Sequence, residues 1–247
     1  MISIGVDFAA QPAKTAIARI TWGAERAEVT AIVTPADDGA IVRSLSDAAS
    51  VGIDVPFGWP DSFVEFVSDH RDAQQRTATA DADEWRRGLA YRLTDRIVAE
   101  EVRKQPLSVA TDRIALAAMR ASSLLATLRD TGEHVDRAGG SRIVEVYPAA
   151  ALKRWNLPFA GYKGTNTAAR NTLIDQLLER APWLHLGRFD AACRGNDDAL
   201  DAVIAALVAH AHALGHWTPP APEQHAQAAR EGWMIVPTCP IGALIGS

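Results

Sequence analysis

The chain has 247 residues, of which 48% are hydrophobic and 22% charged, and a formal net charge of −5 at pH 7. This composition allows a real core and excludes global disorder. It lacks the basic footprint of a stoichiometric nucleic-acid binder, although an enzyme with local or metal-mediated phosphate contacts stays open. Cys193 and Cys239 stand far apart and in no CxxC arrangement. They argue against a disulfide framework or a zinc site and fit a reducing cytoplasm.

The first segment, MISIGVDFA, is a short β-branched apolar run and predicts a buried strand. It has no basic start followed by an apolar stretch, so it does not read as a signal peptide. AKTAIARITW and RAEVTAIVTP follow around Gly23 and Ala24, which predicts a three-stranded meander. DDGAIVRSLSDAA has helical spacing at Ile41, Val42, Leu45 and Ala48, and SVGIDVPFGWP returns to a buried strand ended by Pro56, Gly58 and Pro60.

From about 61 to 140 the pattern is helical segments joined by polar loops, the clearest being ALAAMRASSLLATLRDTG. RIVEVYP is the next strand. Helices follow through AAALKRW, AARNTLIDQLLERA and the segment Asn196 to Leu214, and GWMIVP is a last strand. The apolar run within 202–214 is broken by His210 and His212 and is too short to span a bilayer, so no membrane association is expected. The order suggests an α/β protein, a mixed sheet with its first three strands antiparallel and helices on both faces. Neither GxGxxG nor GxxxxGK[ST] occurs, which argues against dinucleotide and P-loop sites.

Four acids stand out by position. Asp7 and Asp54 lie near the ends of apolar strands, Glu145 lies inside RIVEVYP, and Asp201 lies in the first turns of an otherwise apolar helix, with Asp198 three residues before it. Strand ends of an open sheet can bring such side chains to one edge, and Asp198 and Asp201 share a helix face. Carboxylates gathered without partners repel one another and take up protons. A hard divalent cation removes that problem, so one or two Mg²⁺ or Mn²⁺ ions suit the set. Two such ions about 3.5–4 Å apart activate water and stabilise the leaving oxygen in phosphodiester hydrolysis. The plainer readings are helix-dipole partners for Asp197 and Asp198 with Asn196 as N-cap, loop caps for Asp7 and Asp54, and pairing of Glu145 with Arg142.

In these residues and in GVDFA, GIDVPFGWP, AYRLTD, VEVYPAA, YKG, DDALDA and EGWMIVP, taken in order, the chain resembles domain-of-unknown-function family 429. That family is regarded as predicted nucleases with an RNase H fold. The resemblance implies a single RNase H-like domain over 1–247, with 61–140 as a helical insertion over the site. It implies Asp7, Asp54, Asp198 and Asp201 as metal ligands and Glu145 as an added acid, a further ligand or a water-orienting base. The acidic net charge departs from the basic surface usual for nucleases of this kind, which leaves nucleic acid or a small phosphodiester as the expected substrate.

Arg92 and Asp95 in YRLTD are three apart. The Arg92 fork suits a substrate phosphate, while a salt bridge to Asp95 or Glu84 is the structural reading. Lys163, in the Gly-flanked GYKGTN loop, is a second candidate for phosphate charge, or else a solvated lysine. Glu231 reads as holding the terminal strand, and Tyr147, Trp59 and Trp233 as packing. His210, His212 and His216 do not share a face. Two rival functions remain at this point. One is an actin-like nucleotide-binding phosphotransferase using VDFAAQPAKTAIA and IDVPFG as phosphate loops, and the other is a scaffold whose acids are structural.

Overall fold

The computed structural model describes residues 1–74 and 82–246. The expected insertion at 61–140 therefore lies partly outside the described residues, at 75–81. Strand β1 (Ile2–Asp7) pairs antiparallel with β2 (Ala16–Trp22), and β2 with β3 (Ala27–Val33), as the alternating apolar runs require. Helix α1 (Asp38–Ser44) starts where the Asp37 carboxylate accepts from the Ala40 N–H at 2.7 Å. It leads into β4 (Ser50–Asp54), parallel to β1.

Helices α2 (Asp61–Arg71), α3 (Ala82–Ala90), α4 (Leu93–Val102) and α5 (Ala115–Asp130) precede β5 (Ile143–Val146), which runs parallel beside β4. Helices α6 (Pro148–Arg154) and α7 (Thr167–Arg180) come next, followed by β6 (Leu184–His185), α8 (Asp190–Gly195), α9 (Asp197–Ala213), α10 (His225–Glu231) and β7 (Met234–Ile235). The result is one mixed seven-stranded sheet of order β6-β3-β2-β1-β4-β5-β7, flanked by helices, with the first three strands antiparallel as expected. Strand β6 went unread in the sequence because two residues carry no periodicity; it runs parallel to β3 at Ala27 and Glu28. Among the described residues no helix is long and apolar enough to cross a membrane.

Strand alternation sorts the core into two layers. Ile4, Val6, Val51, Ile53 and Ile143 face Ile41 of α1, its C-cap Leu45, and Leu124, Leu125 and Leu128 of α5. Ala16, Ala18, Val144 and Val146 share the other layer with α9, whose residues from Ala199 to Ala211 are all buried. Helix α9 lies on the sheet at backbone distance because Gly5 and Gly52 sit opposite each other beneath it. A Cβ on Gly5 would stand 2.0 Å from the Ala202 carbonyl oxygen and 2.2 Å from the Ala206 nitrogen. A Cβ on Gly52 would stand 2.7 Å from the Ala205 oxygen. An alanine-rich helix face on a glycine pair is what fixes the depth of α9.

Candidate functional site

The same alternation aims the site. Asp7 follows Gly5 by two residues and Asp54 follows Gly52 by two, so both project to the α9 side, directly opposite each other in register. Asn196 caps α9, its side chain accepting from the N–H groups of Asp198 (2.7 Å) and Ala199 (3.3 Å). The helix then carries Asp201 to the same end of the sheet, where it is buried. Asp198 stays half-buried in the first turn.

Asp201 is held from the loop between α6 and α7. The Tyr162 hydroxyl donates to its Oδ1 at 2.7 Å, and the Lys163 Nζ lies 2.6 Å from its Oδ2. Gly161 and Gly164, at φ of 79° and 68°, take the left-handed turns that bracket this pair. The buried guanidinium of Arg170 fixes the loop by donating to the carbonyls of Tyr162 (2.8 Å) and Gly164 (3.1 Å). The Lys163 side chain still keeps 58% of its surface exposed, so its head is shared between the acids and solvent.

The charges do not balance. Burial, then Asp201 and Asp54, hold the Asp7 carboxyl well above the usual range. Burial pushes Asp54 up to about 7, with Lys163 pulling it down and Asp201 pushing it further up. Burial also raises Asp201 despite Lys163 and Tyr162. For Lys163, burial acts downward, but Asp201, Asp54 and Asp7 more than reverse it and hold the ammonium charged.

A carboxyl raised in the folded state binds its proton more tightly there than in the unfolded chain. Stability is then lost as pH rises from the ordinary carboxylate range through the folded value, here up to about 7 for Asp54. In chelator-treated protein, Asp54→Asn is expected to raise stability at pH 8 by a few kcal/mol at most, on the order of one to three, and to change little at pH 4. Thermal melts of both proteins across that range check it; an Asn benefit that does not grow with pH would contradict the charge imbalance.

Glu145 lies on the other face. It stands in register with Ile53, not Gly52, so it points away from Asp54 and toward α4. There Arg92 Nη1 and Nη2 donate to Glu145 Oε2 (2.9 Å) and Oε1 (2.7 Å). Arg92 Nε and Nη2 donate to Asp95 at 3.2 and 2.9 Å, and Nη1 also donates to the Glu231 carbonyl at 3.1 Å. All five guanidinium donors are engaged, which places Arg92 in a buried ion-pair network with no donor left for a phosphate. Glu145 accepts in addition from the Phe57 N–H at 2.9 Å, so its oxygens are occupied. Arg92, expected as a phosphate contact, and Glu145, expected as a ligand or base, thus stand in a buried ion pair that lines the same cavity as Asp7 and Asp54, with Glu145 among the charges that raise Asp54. Glu231 holds the chain together as expected, accepting from the N–H groups of Asp61 (2.8 Å) and Leu93 (2.7 Å).

Asp7, Asp54 and Lys163 line a cavity of about 600 Å³. Its walls include Tyr147, Phe159, Leu107 and Ile114, and beside the ion-paired Arg92 the cations Lys104 and Arg113 line it. Apart from Arg92, none of these was singled out as a site residue in the sequence, and neither was Tyr162, although it adjoins Lys163 in GYKG. Among the described residues no three His, Cys, Asp or Glu side chains are gathered to hold a metal ion. The cation among the acids is the Lys163 ammonium.

The family described as protein of unknown function (DUF429) matches residues 5–225. Comparison with curated proteins and with solved structures returns no match. The match takes in Asp7, Asp54, Lys163 and Asp201 together with most of the sheet that positions them, though not β7, and the chain belongs to the DUF429 family.

Proposed function

We propose that this site hydrolyses phosphodiester bonds, with water as nucleophile and Mg²⁺ or Mn²⁺, one or two ions, as cofactor. The observation that carries the reading is the approach of Asp7, Asp54 and Asp201, from three distant segments, in which Asp201 pushes both other carboxyls up and Asp7 and Asp54 line a cavity. The acids at the ends of the first and fourth strands and the antiparallel first three strands support the RNase H-like reading. Free cysteines at 193 and 239 support a cytoplasmic setting.

The donor set fits such an ion in chemistry: every candidate ligand is a carboxylate oxygen, and the negative charge exceeds what Lys163 neutralises. Asp7, Asp54 and Asp201, with Asp198 beside them, would hold it by drawing closer together than they stand here, in competition with the ammonium. When bound, the ion lowers the pKa of water and offsets charge on the phosphoryl oxygens. In the reaction the water oxygen bonds to phosphorus, the ester P–O bond breaks, and the water proton ends on the departing alkoxide, giving an alcohol and a phosphomonoester. Tyr162 positions Asp201, and Lys163, with half its surface in solvent, is placed to neutralise a phosphate oxygen once released from Asp201.

Calorimetric titration of Mn²⁺ into chelator-treated protein tests the site. Wild type is expected to bind, and Asp7→Asn/Asp201→Asn to bind at least about a hundredfold more weakly, since even supporting residues of metal sites are worth about 10- to 100-fold. Lys163→Met, which removes the competing cation, is expected to bind more tightly than wild type. Equal binding by wild type and the double variant, or binding by neither, would sink the metal reading.

A further inference from the structure

The cavity has properties that an acid cluster does not require. Its volume, about 600 Å³, falls within the roughly 300–1,000 Å³ of pockets that enclose compact organic ligands. Leu107, at its edge, is 48% exposed, a large apolar side chain left in water where a ligand would cover it. Lys104 lies 5.4 Å from the Phe159 ring, and neither Lys104 nor Arg113 pairs with a carboxylate among the described residues. The Tyr147 hydroxyl also lines the cavity and makes no hydrogen bond among those residues.

A polynucleotide site would instead need a basic track. Each neutralised phosphate adds about one to the slope of affinity against salt, and a protein of net charge −5 with Lys104 and Arg113 free of carboxylates among the described residues has the means to meet one phosphate group, or two at most, at this mouth.

We infer that the cavity selects a small phosphodiester carrying a compact aromatic group, with Lys104 and Arg113 on the phosphate and Phe159, Tyr147 and Leu107 around the ring. This names the substrate class for the hydrolytic reading above and rests on it for the chemical step alone.

The test separates binding from turnover, using the full chain with and without Mn²⁺. Bis(p-nitrophenyl) phosphate is expected to bind at least about tenfold more tightly than dimethyl phosphate, which carries the same charge and no ring. Lys104→Ala/Arg113→Ala should weaken that binding about tenfold or more with an unchanged melting temperature, and Phe159→Ala should remove the preference for the ring. The inference is overturned if the aromatic ester does not bind in either condition. It is equally overturned if a single-stranded 20-mer binds more tightly, with a salt slope of about four or more. Binding without Mn²⁺-dependent release of p-nitrophenolate would uphold the inference and remove the hydrolytic reading instead.

Discussion

Gly5→Ala is expected to destabilise the protein by at least about 3 kcal/mol, at the upper end of what overpacking does in a core. The added methyl would meet not a side-chain tip but the α9 backbone, at 2.0 and 2.2 Å, so a rotamer change cannot relieve it and the helix must rise from the sheet. Gly52→Ala is the milder partner: its contacts are the Ala205 oxygen at 2.7 Å and side chains of Val146 and Ala209, and about 2 kcal/mol is expected. Gly88, in α3, has nothing within 4 Å of the same atom, and there alanine should stabilise by about 0.5–1 kcal/mol through helix propensity. Urea denaturation at constant m value ranks the three. A Gly5→Ala protein within experimental scatter of wild type would mean that the glycine pair does not set the seat of α9. Because Asp201 precedes Ala202 on that helix, the same variant should also weaken Mn²⁺ binding in whatever fraction stays folded.

The second large effect is at Arg92. Arg92→Met leaves Glu145 and Asp95 buried without their counter-charge, and removing one partner of a buried ion pair costs about 3–5 kcal/mol. Burial already raises Glu145 above its ordinary value, with Arg92 as the chief opposing influence. In the variant it should rise further, so the loss is expected to be largest at neutral pH and to shrink as acid protonates Glu145. Arg92→Met/Glu145→Gln should recover part of the loss, with a coupling energy of about 0.5–3 kcal/mol in a double-mutant cycle. Arg92→Lys is not a mild change here, because one ammonium cannot span two carboxylates and a carbonyl. A cycle with no coupling, or a loss independent of pH, would refute the assignment of Arg92 as the counter-ion of Glu145.

Much of this was legible in the chain. The apolar β-branched runs MISIGVD and SVGID, each interrupted by an Asp near its end, were enough to place both acids at strand ends, and Asn196 before DDALD marked the start of α9. What local pattern could not supply was register. Whether Glu145 joins Asp54 or turns away depends on its lying opposite Ile53 and not Gly52, a fact about pairing between strands some 90 residues apart. The partners of Arg92 were half visible: Asp95 is three residues away, whereas Glu145 and the Glu231 carbonyl are 53 and 139 away. Lys163 was read as a phosphate contact or a solvated lysine, and its pairing with Asp201 follows from the buried Arg170 drawing the loop inward. Lys104, Arg113 and Phe159 lie outside periodic segments, where spacing carries no direction.

The clasp formed by Glu231 also bears on how the protein is made. Asp61 and Leu93 offer their N–H groups to a carboxylate 170 and 138 residues downstream, and β5 waits for its outer neighbour until Met234. On a ribosome, β1, β2 and β3 emerge able to pair with one another at once. The cavity walls do not. Helix α4 leaves the exit tunnel with Arg92 still lacking the Glu145 carboxylate and the Glu231 carbonyl and Leu93 lacking its own acceptor, and the Glu231 partners are met only when nearly the whole chain has been synthesised. Synthesis therefore pairs the first three strands early and closes the sheet at β7 last, so a nascent chain arrested before α10 would carry Asp7 and Asp54 on a sheet whose β5 edge is still open and whose Arg92 network is still unfinished.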